Sequence, residues 1–249
     1  MRPQWRVVPA VRALMSTRQG GSSPAPWQGF NLGVGVGDDA QRVACHRQDF
    51  AAALGAAPVW LRQVHGTYAV HLHHADQLLQ DITADAAWTD RPGLACTAQA
   101  ADCMPVLLAA PQGRVVGAAH AGWRGLAAGV LEAVLEPICE AASCRASEVA
   151  VWLGPCIGPR CFEVGADVLA AFGVDPMTGD EAFRFHPRPD GQARWLADLP
   201  LLVRRRLRAA GVRRISGGRW CTVEQRSRFF SFRRDGVTGR MAAAICIGT

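Results

Sequence analysis

Three short segments of this chain end an apolar run in a residue that ligates metals: Gln63-Val-His65-Gly, Ala101-Asp-Cys103-Met-Pro and His120-Ala-Gly-Trp-Arg-Gly. One cysteine thiolate with two imidazoles is a donor set that suits zinc, and three protein ligands leave a fourth position for water or substrate. An open position marks a catalytic zinc, since a structural zinc takes four protein ligands. The residues thus point to one mononuclear catalytic site, zinc by preference, built from His65, Cys103 and His120. The spacing alone does not decide it, because a lone His or Cys at a strand end is commonly just packed or hydrogen-bonded.

Other clusters are poorer. His71 and His73 share one face of a strand and are expected to be exposed. Cys156 and Cys161 flank a tight turn, and no second pair at zinc-ribbon spacing follows. Glycines 33, 35 and 37 imitate a dinucleotide fingerprint, but position 38 is Asp where a third Gly is needed. Two arginines are candidates for holding an anion. Arg124 falls at the start of a helix, where glycines 122 and 125 let backbone N–H groups approach a ligand. Arg47 shares a helical stripe with Val43, Phe50 and Leu54, where an arginine either reaches a ligand or snorkels to water. Either of Arg233 and Arg234 can approach the site from a basic hairpin turn, with a solvated hairpin as the default.

The elements that must position these residues alternate in type. Asp38 and Asp39 are N-caps for a helix to about Leu54. Val59–His65 and Tyr68–His73 read as strands, and Leu94–Leu108 as two strands broken at Asp102-Cys103-Met104-Pro105. Arg114–His120 is another strand, followed by one helix with Leu126, Val130, Val134 and Ile138 on a single stripe. Strands at Val149–Leu153, Val212–Ser216, Phe229–Arg233 and Met241–Ile247 and a helix from Asp198 to Ala209 complete the pattern. The prediction is an α/β fold: one mixed-sheet domain over residues 1–249, with the ligands at strand ends along one sheet edge.

The 249 residues include 27 basic side chains, every one an arginine, for a net charge of +6. That balance favours an anionic small molecule. The one dense run, Arg204–Arg208, alternates with leucines as the wet face of an amphipathic helix would, and no nucleic-acid-binding module is recognisable. Nine cysteines, no continuous apolar leader and no run of about 18 apolar residues predict a cytoplasmic protein with reduced thiols and no membrane span.

These segments, in this order, resemble the family described as multi-copper polyphenol oxidoreductase (laccase). Its members are also described as purine nucleoside phosphorylases with adenosine deaminase activity and as peptidoglycan editing factors. The resemblance runs nearly end to end, from Ser16-Thr-Arg-Gln-Gly-Gly and Asn31-Leu-Gly to Phe229-Phe-Ser-Phe-Arg-Arg-Asp-Gly. It implies that the family's ligands fall on His65, Cys103 and His120, and that the fold is an α/β sandwich loosely akin to toxin-type hydrolases with a Cys-His pair. One departure is His46, where the family usually has Asn.

Laccase chemistry needs mononuclear and trinuclear copper centres. This chain has seven histidines, one His-x-His run and no His-Cys-His run, so copper in the Cys-His₂ site would support weak oxidation at most. Nucleoside chemistry fits better. The resemblance implies phosphorolysis of adenosine and inosine, with Arg47 and Arg124 for phosphate, and deamination of adenosine by metal-activated water. The alternative is metal-dependent amide hydrolysis that removes L-Ser from UDP-MurNAc-L-Ser. The Cys-His kinship also allows a thiol hydrolase, with Cys103 as nucleophile and His120 as base. A non-catalytic binding module fits least, given the open metal position. The sequence does not fix the oligomeric state.

Overall fold

The run Met104–Ala109 is apolar at every position, as a strand covered on both faces must be. The rest of the architecture explains what covers it. A computed structural model describes residues 1–248. The chain opens with β1 (Val11–Met15), α1 (Ala40–Leu54), β2 (Ala57–Val59), β3 (Ala69–His71) and β4 (Ala86–Thr89). Its centre supplies β5 (Leu94–Ala100), β6 (Met104–Ala109), β7 (Val116–Ala121), α2 (Trp123–Ala128), α3 (Val130–Ala142) and β8 (Ala150–Leu153). Next come β9 (Glu163–Val164), α4 (Ala166–Ala171), β10 (Phe183–Phe185), β11 (Trp195–Ala197) and α5 (Leu199–Ala209). The end of the chain adds β12 (Arg214–Gly217), α6 (Phe232–Asp235) and β13 (Met241–Ile247).

The strands form a six-stranded sheet, β12-β8-β6-β7-β4-β3, a four-stranded sheet, β1-β13-β5-β2, and a small sheet, β10-β11-β9. The two larger sheets mix parallel and antiparallel pairs. Alternation along β6 sorts the layers. Leu107 and Ala109 face the four-stranded sheet, packing in one cluster with Cys96, Ala98, Ala243 and Ile245. Val106 and Leu108 face the other way, onto Leu131, Val134 and Ile138 of α3 and Leu202 and Val203 of α5. On the far side of the four-stranded sheet, Ala95, Ala242 and Ala244 receive Phe50 and Leu54 of α1. The result is an α/β sandwich, helix–sheet–sheet–helix. Truncating a fully buried member such as Leu131 to Ala costs about 2–5 kcal/mol. No helix among the described residues is long and apolar enough to cross a membrane.

Three local expectations are corrected. The strand predicted for Val59–His65 stops at Val59, and His65 adopts a left-handed backbone with φ 61°. The single helix predicted after Gly122 is two, α2 and α3, broken at Gly129 where φ is 105°. The strand and basic hairpin predicted around Phe229–Arg233 are instead a buried Phe229-Phe230 pair followed by α6. There Ser231 caps the helix, its side chain accepting from Arg234 N–H at 3.2 Å, so local capping overrides the strand propensity of the phenylalanines. The arginines of α5 lie on its outer face but not idle: Arg205 pairs with Asp180 at 2.6 Å and Arg206 with Glu132 at 2.8 Å.

Candidate metal centre and its cleft

The chain passes from one large sheet to the other between β5 and β6, and Cys103 sits on that corner. The corner is tied at Asp102, whose backbone φ is 98°. Its carboxylate accepts from Thr222 Oγ1 at 2.5 Å and from Arg233 N–H at 2.6 Å, and its carbonyl accepts from Ile157 N–H at 2.8 Å. Those bonds offset the strain of a non-glycine residue in the left-handed region, which is on the order of 1–3 kcal/mol. His120 is the penultimate residue of β7, opposite Pro105 of β6.

His65 and His120 are organised by one buried carboxylate, Asp85, which precedes β4. One oxygen accepts from His65 N–H at 2.9 Å and from His120 Nδ1–H at 2.8 Å. The other accepts from Val64 N–H at 3.1 Å and Gly66 N–H at 2.7 Å. Asp85 therefore curls the His65 loop and directs His120 Nε2 toward the site. Burial works against the charged form of Asp85, yet the bonds from His120, Gly66 and Val64 hold its carboxyl below the usual carboxylate range.

The ligand atoms of His65, Cys103 and His120 all lie within 4.8 Å of one another, with Cys103 Sγ 3.6 Å from His65 Nε2. Metal–sulfur bonds of ~2.3 Å and metal–nitrogen bonds of ~2.0–2.1 Å put tetrahedral ligands roughly 3.5 Å apart. The trio thus fits a metal in donor chemistry and, after a small contraction, in spacing. It is the one such group of His, Cys, Asp or Glu among the described residues. In the metal-free protein, burial alone would raise the Cys103 thiol, but the His120 charge and hydrogen bonds from His120 and His65 lower it to about 6. Burial likewise opposes a charged His120, while Cys103 and Asp85 raise it to about 9. The pair is therefore thiolate and imidazolium around neutral pH.

The two glycines after His120 serve the ligands directly. A Cβ at Gly122 would fall 2.6 Å from His65 Cδ2 and 2.9 Å from Cys103 Sγ, and one at Gly125 would fall 2.8 Å from Gly66 O. Gly122 makes room for the His65 and Cys103 side chains, and Gly125 for the His65–Gly66 backbone. The trio opens into a cleft of about 1070 Å³ walled by Trp60, Trp123, Phe162 and Phe232. Arg47, Arg124, Arg233 and Arg240 line it as well. Arg47 Nε donates to Leu32 O at 2.9 Å, and the guanidinium lies 4.0 Å over Trp60. Burial lowers the Arg47 pKa to about 10. The buried member of that helix turn is His46, which accepts from Ser22 N–H and bonds Asn31 O through Nδ1, each at 2.9 Å. Arg124 is exposed and lies over Trp123. Arg234 turns away, bound to the Thr222, Val223 and Phe229 carbonyls and to Asp235. His71 stacks on Trp88 and bonds Asp90 outside the cleft.

The sequence profile of the family described as multi-copper polyphenol oxidoreductase laccase matches residues 12–248. The chain belongs to that family. Among its relatives, the Pseudomonas aeruginosa protein named purine nucleoside phosphorylase PA4543 is 43% identical over 98% of this chain and 96% of its own. The Escherichia coli protein named purine nucleoside phosphorylase YfiH is likewise 43% identical over 98% of this chain and 96% of its own. The crystal structure of Neisseria meningitidis protein NMB0706 superposes with a TM-score of 0.90 at 38% identity, covering 100% of this chain and 99% of that one. YlmD from Geobacillus stearothermophilus gives 0.87 at 29% identity, covering 99% and 100%. Despite the laccase label, the described residues of this family member offer a single three-donor group.

Sequence reasoning passed over Asp85 and Asp102. Asp85 did leave a signal, since it is a lone carboxylate inside the apolar run Ala84–Ala87. Asp102 left none beyond its place next to Cys103.

Proposed function

We propose that this chain is a zinc-dependent purine nucleoside phosphorylase, acting on adenosine and inosine with phosphate, that also deaminates adenosine. The observation that carries the reading is the joining, in one aromatic-walled cleft, of a three-donor group with guanidinium groups free of carboxylate partners. The names of the relatives support the phosphorylase part. His65, Cys103 and His120 would hold the ion, which supplies Lewis acidity and a water of lowered pKa. Asp85 aims the His120 imidazole through Nδ1 and fixes the His65 loop through its backbone N–H. The aromatic walls stack the purine, and Arg47 contributes charge to neutralise phosphate. In phosphorolysis a phosphate oxygen bonds C1′ as the C1′–N9 bond breaks, and the purine leaves with that electron pair. Deamination adds water at C6 and releases ammonia. All nine cysteines are unbridged, which agrees with a reducing, cytoplasmic setting.

The test is product analysis of adenosine incubated with zinc-loaded protein, with and without phosphate, and with Cys103→Ala as control. Adenine and ribose 1-phosphate should form only with phosphate, inosine should form in either buffer, and the variant should lose both activities with most of its zinc. Untouched adenosine would sink the reading.

One observation favours a second reading. Asp85, His120 and Cys103 form a carboxylate–imidazole–thiolate chain of the kind that activates a nucleophilic cysteine. The substrate would then be an amide, and the cell-wall precursor UDP-MurNAc-L-Ser is the candidate. Zinc-dependent release of serine from it would favour precursor editing, and release that survives chelation would favour thiol catalysis.

A further inference from the structure

The segment Asn31-Leu32-Gly33 carries two arginines from distant parts of the sequence. Besides its bond to Leu32 O, Arg47 reaches Gln99 Oε1 through Nη2 at 3.4 Å. Arg240 is fastened to the same segment. Its N–H donates to Asn31 Oδ1 at 2.8 Å, and its carbonyl accepts from Leu32 N–H at 2.9 Å. Its stem packs on Gly33, where a Cβ would fall 2.6 Å from Arg240 Cγ. Arg240 Nη1 donates to Thr238 O at 3.0 Å and Gly239 O at 3.2 Å. That leaves Nε and Nη2 of Arg240, and Nη1 of Arg47, without an acceptor among the described residues.

Two half-buried guanidinium groups are fastened to one three-residue strap, and burial has cost both much of their hydration, which lowers the pKa of each. No carboxylate forms an ion pair with either one among the described residues. Both line the cleft that holds the metal trio. Arg240 lies on the trio's side, with Cys103 and Asp102 the negative groups close enough to act on it. Arg124 offers less, being exposed and laid on its own neighbour Trp123. A tetrahedral dianion matches the arrangement, because two forks can take separate oxygens.

We propose that Arg47 and Arg240, both fastened to Asn31-Leu32-Gly33 and lining one cleft, form the clamp for the phosphate co-substrate, with Arg240 rather than Arg124 as its second arm. That the clamp takes an anion follows from the geometry; that the anion is free phosphate rests on the phosphorylase reading.

The experiment compares zinc-loaded wild type, Arg240→Ala and Arg240→Lys. It measures inorganic phosphate and AMP binding by calorimetry, and separate KM values for phosphate and nucleoside. A lost charge-assisted contact predicts a phosphate KM raised roughly 10- to 100-fold in Arg240→Ala. The nucleoside KM should move far less, and Arg240→Lys, which keeps the charge, should recover part of the loss. A merely structural arginine would raise both KM values together, and Lys would not rescue; that result overturns the clamp. Wild-type phosphate affinity in Arg240→Ala, with phosphorolysis continuing, also overturns it and leaves the phosphorylase reading standing. Arg240-dependent phosphate binding with no ribose 1-phosphate formed upholds the clamp and removes the phosphorylase. Binding of AMP but not of inorganic phosphate would overturn the assignment to a co-substrate. If Arg240→Ala fails to fold, Arg240→Lys alone must still show the phosphate-selective rise.

Discussion

Asp85 holds four N–H groups with two oxygens, so removing its charge should act on the metal before it acts on the fold. In Asp85→Asn the amide keeps one acceptor oxygen, but its NH₂ faces donors that it cannot serve. Zinc affinity, measured by chelator competition, should fall roughly 10- to 100-fold. Unchanged affinity would mean that the His65 loop holds itself. The Cys103–His120 pair gives a pH prediction with a definite sign. With the thiol at about 6 and the imidazole at about 9, the metal-free site between those values carries its competing proton on His120. Metal binding must displace that proton, so affinity should rise about tenfold per pH unit across the window and flatten above it. Below the lower value the thiolate is lost too, and the slope should steepen. Iodoacetamide should alkylate metal-free Cys103 with a midpoint near 6, and zinc should block it. The three donors could be picked out of the sequence because each stands near Gly or Pro where an apolar run stops, and because the family resemblance singles out the same three. Asp85 was not, because three of its four partners are backbone N–H groups some twenty residues away in sequence and the fourth, His120, is farther still, so no side-chain spacing encodes them.

At the scale of elements, the site is a corner where β5 hands over to β6, a strand end and a loop, and packing decides how closely they meet. Gly122 and Gly125 set that distance. Gly122→Ala should push His65 and Cys103 apart while leaving the sheets intact, since the atoms nearest its Cβ belong to those two side chains. Zinc content should drop sharply, with a thermal midpoint in chelator close to that of wild type; full zinc occupancy would contradict the packing argument. Pattern found most elements, because α3 and α5 bury regular stripes and β6 and β7 are continuous buried runs. It failed where backbone geometry is imposed from outside. His65 is turned by Asp85, the helix after Gly122 breaks at a left-handed glycine, and Phe229-Phe230 are buried without forming a strand. Arg47 illustrates the same limit, for its stripe position was readable, while the Trp60 ring and Leu32 carbonyl that detain it come from other elements.

At the scale of the whole molecule, a net charge of +6 surrounds a cleft in which Arg62 pairs with Asp81 while Arg47, Arg124, Arg233 and Arg240 have no carboxylate partner among the described residues, so the field and the local site attract the same kind of ligand. The sign of that field is legible in the composition but its focus is not, because arginines 47, 124, 233 and 240 converge only once the sandwich is built. The two contributions separate by their response to salt. Screening over a Debye length of about 10 Å at 0.1 M weakens the diffuse attraction of a dianion and leaves a neutral nucleoside alone. The phosphate KM of the zinc-loaded protein should therefore rise roughly threefold to tenfold between 20 mM and 300 mM sodium chloride, while the adenosine KM stays nearly flat. In Arg240→Lys, which preserves net charge, the salt-dependent slope should persist on a higher baseline, because the fork is lost and the field is not. A slope that vanished with the fork would assign the whole electrostatic effect to the clamp. Equal slopes for phosphate and adenosine would show that salt acts on the protein itself, and the field would then play no part in capturing the anion.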